Sequence, residues 1–150
     1  MLKKITDLFN NKEIQYITII GCFLSDATVF TWLYWKATSY EEFGKLVEST
    51  IDSPNFQVQL YKVLLQSLTF FLLLFISAQF IVYILAAKKF RSALLYLKLY
   101  SVAGFAVSFF IIATQSFYAL CPALFYLAGY YYFAKTFTEV TAAQMQSSPQ

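Results

Sequence analysis

A chain of 150 residues that is 59% hydrophobic, 21% aromatic and only 13% charged cannot hide its apolar surface as a water-soluble fold, because domains of this size leave much of their surface wet. The formal net charge of +3 gathers near the start of the chain and around Lys88, Lys89 and Arg91 without a basic-aromatic surface pattern, so it marks membrane topology and excludes nucleic acid as the partner. There is no histidine, and the two cysteines, Cys22 and Cys121, are far apart, which removes His/Cys zinc sites, histidine-ligated haem, histidine triads and Cys-x-x-Cys redox centres.

In chain order, residues 1–13 mix Lys3, Lys4 and Lys12 with Asp7 and Glu13. Ile5, Leu8 and Phe9 recur there at helical spacing, the pattern of a short interfacial helix or of a frayed tail. Residues 15–35 have the length and apolarity of a first spanning helix, closed by an aromatic belt of Trp32, Tyr34 and Trp35. This segment lacks a small-residue cleavage site and carries Asp26, so it reads as a retained helix and not a signal peptide.

Ser39-Tyr40-Glu41-Glu42 matches a capping box. Tyr40, Phe43, Leu46, Val47 and Ile51 then share one helical face, with Glu41, Lys45, Glu48 and Asp52 mostly on the other. The pattern predicts a short amphipathic helix on the membrane surface or over the mouth of a bundle. Ser53-Pro54 opens the next element, serine as N-cap and proline at the first helical position. The second span covers residues 57–87 and contains neither glycine nor proline. It is longer than a bilayer needs, so it tilts or projects.

The apolar stretch 92–137 suits two spans, 92–114 and 117–135, with a tight hairpin at Thr114-Gln115-Ser116. Residues 138–150 read as a polar, disordered tail. The fold class is therefore all-α: one polytopic membrane domain over residues 1–137, four transmembrane helices plus the short surface helix after the first. Lysine and arginine mark the cytoplasmic side, which places both termini inside, as in a bacterial inner membrane.

Asp26 is the first candidate functional residue. An aspartate at the centre of a span costs roughly 2.5–3.5 kcal/mol on an insertion scale. It must face water, find a partner, or pin helices together. On the second span Gln59, Gln66 and Ser77 lie close to one face, with Thr69 near that line and Gln79 elsewhere. Together with Asp26 this stripe suggests an intramembrane polar path; the plainer account is interhelical hydrogen bonding.

Lys88, Lys89, Arg91 and Lys98 suggest contacts with lipid headgroups. Lys98 snorkels to the interface beside Tyr96 and Tyr100, or pairs with Asp26. Gly104 and Ser108 form a small-xxx-small pair for close helix packing. Tyr130-Tyr131-Tyr132 reads as an interfacial belt, and both cysteines as free packing thiols.

Two functional classes fit. One is an oligomeric channel or carrier for ions or small solutes, lined by Asp26, Gln59, Gln66 and Ser77. The other is a non-catalytic subunit, or an assembly or regulatory factor, of a larger membrane complex. The expected partners are the bilayer itself and either further copies of the chain or that complex. No catalytic set, cofactor or metal site is expected, and enzymatic activity ranks behind both readings.

Overall fold

The computed structural model describes residues 11–47, 54–114 and 117–147, and every regular element among them is helical. These are α1 (Lys12–Ala37), the short α2 (Tyr40–Val47), α3 (Pro54–Ala87), α4 (Arg91–Thr114), a 3-10 turn (Phe117–Ala119) and α5 (Leu120–Ser147). The interfacial helix expected in residues 1–10, the Ser53 cap and the Gln115-Ser116 part of the hairpin lie outside the described residues.

Local chemistry sets the ends. Asn11 caps α1, its side chain accepting from the amide of Glu13 at 3.0 Å. At the other end the Thr38 amide donates to Tyr34 at 2.9 Å. α3 and α4 are joined by a tight turn in which Lys89 takes a left-handed φ of 60°. There the Phe90 amide donates back to the Leu85 carbonyl at 3.0 Å, so the last carbonyls of α3 are satisfied.

The four long helices form an up-down-up-down bundle. α1 packs on α3 and α5, and α4 packs on the same two. The pairings fix the directions. Tyr34 meets Thr69 while Phe23 meets Phe80, so α1 and α3 are antiparallel. Val29 clusters with Ala119 while Cys22 meets Phe125, so α1 and α5 are antiparallel too. Tyr100 meets Tyr126 while Arg91 meets Phe137, which sets α4 against α5 in the same way. The start of α1, the α3–α4 turn and the end of α5 therefore share one end, here the basic end.

α3 is 34 residues long, about 51 Å at 1.5 Å per residue, against about 30 Å of hydrocarbon. Its first turns extend past the Trp35 end of α1 and carry α2. The Tyr61 hydroxyl donates to the Thr38 carbonyl at 2.7 Å, and Phe43 packs on Tyr61 with ring centroids 5.3 Å apart. The amphipathic helix thus leans on the projecting part of α3.

α1, α3 from Asn55, and α4 to Ala113 are long and apolar enough to cross a membrane. α5 is diluted by Tyr126, Tyr130, Tyr131, Tyr132 and Lys135. It is nonetheless central to the packing, with Tyr126, Tyr132 and Phe133 buried. Two expectations change here. α5 stays helical to Ser147, through most of the segment read as a disordered tail. Tyr132 faces the core and not the interface, being 3% exposed.

Candidate functional site

Asp26 stands near the middle of α1 and is 2% exposed. Tyrosines from two of the other long helices reach it. Tyr83 of α3 donates to Oδ2 at 2.7 Å, and Tyr126 of α5 donates to Oδ1 at 2.6 Å. Tyr100 of α4 stands beside the pair, its ring edge-on to that of Tyr126 with centroids 6.4 Å apart. A single side chain therefore ties α1 to α3 and α5, with α4 packed alongside through Tyr100, and neutral hydroxyl dipoles stand where a cation would otherwise be needed.

Further polar groups flank this centre, and apolar clusters bound it at both ends. Gln79 of α3, 2% exposed, donates from Nε2 to the Tyr96 hydroxyl at 3.0 Å, and the Tyr96 ring stacks on that of Tyr100 with centroids 5.6 Å apart. Its Oε1 finds no hydrogen-bond partner among the described residues. One turn from Asp26 towards the basic end, the Cys22 thiol donates to the Phe125 carbonyl at 3.2 Å, and Ser25 bonds back to the Gly21 carbonyl at 2.7 Å. Beyond lies the apolar cluster of Ile19, Ala86, Leu94, Leu97 and Phe133.

Close helix approach holds the tyrosines in place. A Cβ on Gly104 would lie 2.7 Å from the Tyr126 ring, and one on Gly129 would lie 2.5 Å from the Cys22 sulfur. A Cβ on Gly21 would collide with the Phe125 ring. α5 is therefore seated against α1 and α4 through positions that only glycine fits. Ser108, one turn beyond Gly104, is fully buried.

The structure does not bring the rest of the polar stripe to Asp26. Gln59, Gln66 and Ser77 are exposed on the outside of α3. Tyr34 and Thr69 are level, joined at 2.7 Å, so Gln66 and Gln59 stand progressively past the Trp35 end of α1. They lie in the projecting part of α3 beside Lys62 and α2. Gln79, off the stripe in the sequence reading, is the glutamine that enters the core.

The chain brings Asp26 together with Tyr83 and Tyr126, with Tyr100 and Gln79 close by, residues that the polar pattern of the sequence does not mark as a site. The signal was available in principle: a tyrosine well inside an apolar span needs a partner for its hydroxyl.

The basic residues divide. Lys88 and Lys89 are exposed in the α3–α4 turn. Arg91 and the half-buried Lys98 both approach the Phe137 ring of α5, with Arg91 Cζ at 5.5 Å and Lys98 Nζ at 5.9 Å from its centroid. Lys98 is thus directed at the basic end, away from Asp26.

A cavity of about 90 Å³ near the Trp35 end, lined by residues such as Val29, Trp32, Ile111 and Ala119, is apolar and does not include Asp26. No protein-family model, curated protein or solved structure matches this chain.

Proposed function

We propose that this protein is a non-catalytic membrane subunit or assembly factor, a rigid four-span bundle that offers its apolar outer faces to a larger complex. The observation that carries this reading is the saturation of Asp26. Each carboxylate oxygen accepts from a tyrosine hydroxyl of a different helix, and that arrangement fits a pin between helices better than a group that loads and releases an ion. The exposed positions of Gln59, Gln66 and Ser77 point the same way, since they leave Asp26 without a polar path along α3.

Four crossings are favoured by the seating of α5. It lies antiparallel between α1 and α4 and buries Tyr126, Tyr132 and Phe133 against the bundle, so it shares the depth of its neighbours. Lys88, Lys89 and Arg91 then put the basic end, with the start of α1 and the end of α5, on the cytoplasmic side, as in a bacterial inner membrane.

The test is flux of protons and monovalent cations through purified protein in liposomes, wild type beside Asp26→Asn. The expected result is wild-type flux no greater than that of protein-free liposomes. Flux above that baseline that changes with the asparagine would overturn the subunit reading and restore an ion path through Asp26.

A further inference from the structure

We propose that Arg91 and Lys98, converging on the ring of Phe137, form a binding notch for the phosphate of an anionic phospholipid. The inference requires only that the bundle sits in a bilayer, and it stands whether or not the protein is a subunit. Lys98 follows Arg91 by seven residues on α4, about 10 Å along the axis. Both cationic groups nevertheless lie against one ring, at 5.5 Å and 5.9 Å from its centroid. The Lys98 side chain therefore runs along the helix towards the basic end, the way a lysine reaches headgroup level from within hydrocarbon.

The ring alone is a poor counterpart for two cations. Each gains a little from the quadrupole, but the two like charges repel one another, and neither forms an ion pair among the described residues. Glu139, the nearby carboxylate on α5, is engaged with Lys135 at 3.9 Å. An anion with several oxygens that reaches both Arg91 and Lys98 satisfies both, and the arginine fork suits a phosphate.

The surface next to the notch selects the source of that phosphate. Leu95, Leu99 and Val102 continue the Arg91 and Lys98 face of α4 towards the bilayer centre and are 43%, 63% and 52% exposed. This apolar strip beneath a cationic head fits an acyl chain. Lys88 and Lys89 add diffuse positive potential without belonging to the notch.

The test is thermal melting of the purified protein in a neutral detergent at about 0.5 M salt, where diffuse surface attraction is largely screened. Phosphatidylglycerol, phosphatidylcholine and inorganic phosphate are titrated separately. Phosphatidylglycerol alone should raise the melting temperature. The concentration giving half of that shift should rise roughly fivefold in Arg91→Gln or Lys98→Gln, as expected for the loss of one basic contact each. It should stay unchanged in Lys88→Gln and Lys89→Gln, and Lys98→Arg should restore it.

Equal losses at all four positions would overturn the notch in favour of diffuse attraction, and an equal shift with inorganic phosphate would overturn the lipid. Should a variant fold poorly, native mass spectrometry of the wild type decides. Retained phosphatidylglycerol in preference to phosphatidylcholine supports the notch, and no preference refutes it.

Discussion

At the scale of single residues, the carboxylate of Asp26 is held by dipoles where other intramembrane acids find water or a cation. Tyr83 and Tyr126 come from different helices, so the residue that is costliest to insert also specifies which helices meet and at what height. Replacing Asp26 by leucine strands buried hydroxyls that were donating to it, at about 1–3 kcal/mol for each group left unpaired, towards the lower end where a lipid-embedded unfolded state finds other partners. Asparagine keeps one acceptor and turns the other position into a donor, which a tyrosine oxygen can accept. Thermal melting in detergent should therefore rank wild type and Asp26→Asn close together and Asp26→Leu well below; equal melting of leucine and asparagine would mean that the hydroxyls do not depend on Asp26. The acid was legible in the sequence because a charge in an apolar run stands out. Its partners were not, because tyrosine serves equally as a belt residue and as a buried donor, and the neighbouring Tyr100 lies close enough to Lys98 to be read as interfacial. Gln79 was missed for a related reason: the stripe of Gln59, Gln66 and Ser77 is a real periodicity of α3, but it falls on the outer face.

At the scale of elements, the bundle depends on α5 lying close to α1 and α4. Glycine at 21, 104 and 129 makes that approach possible, and the three positions differ in how much a new methyl group would disturb. The Tyr126 ring beside Gly104 cannot swing aside without losing its bond to Asp26. Gly104→Ala should therefore lower stability by about 1–3 kcal/mol, the range for overpacking a tight core. Gly44 in α2 has nothing within 4 Å of a built Cβ. Gly44→Ala should be neutral or stabilising by up to about 1 kcal/mol through helix propensity. Denaturant or thermal unfolding of the two variants side by side checks the contrast, and a harmless Gly104→Ala would show that α4 and α5 do not pack this tightly. The small-residue run around Gly104 and Ser108 announced close packing in the sequence. That its counterpart is the ring bonded to Asp26 required the fold, since nothing in the local pattern links position 104 to position 126.

At the scale of the whole molecule, hydropathy made three long apolar helices and the amphipathic α2 legible, because lipid imposes a length and a polarity that can be read along a chain. It served α5 less well. Tyr126, Tyr132 and Lys135 lower the apolar signal of that helix, yet Tyr126 and Tyr132 spend their polarity inside the bundle, facing neighbouring helices and not lipid. A helix whose polar atoms are turned inward carries a weak hydropathy signal whether or not it crosses, and its ends were harder to place for the same reason: the helix runs on to Ser147 where composition suggested a loose tail. Whether α5 crosses is open to a direct measurement. Single cysteines are placed at the exposed positions Lys45, Lys89 and Gln146, in a background where Cys22 and Cys121 are replaced by alanine, and are challenged with an impermeant thiol reagent in sealed cells and again in inverted vesicles. α1 and α3 put Lys45 and Lys89 on opposite sides, and an antiparallel α5 at the same depth returns Gln146 to the side of Lys89. The expected pattern is Lys45 labelled in cells and the other two only in inverted vesicles. Labelling of Gln146 together with Lys45 would mean that α5 does not cross, leaving three spans and a last helix attached from the far side. Labelling of Lys89 and Gln146 in cells, with Lys45 protected, would keep the four crossings and reverse the bundle, against the charge of the α3–α4 turn.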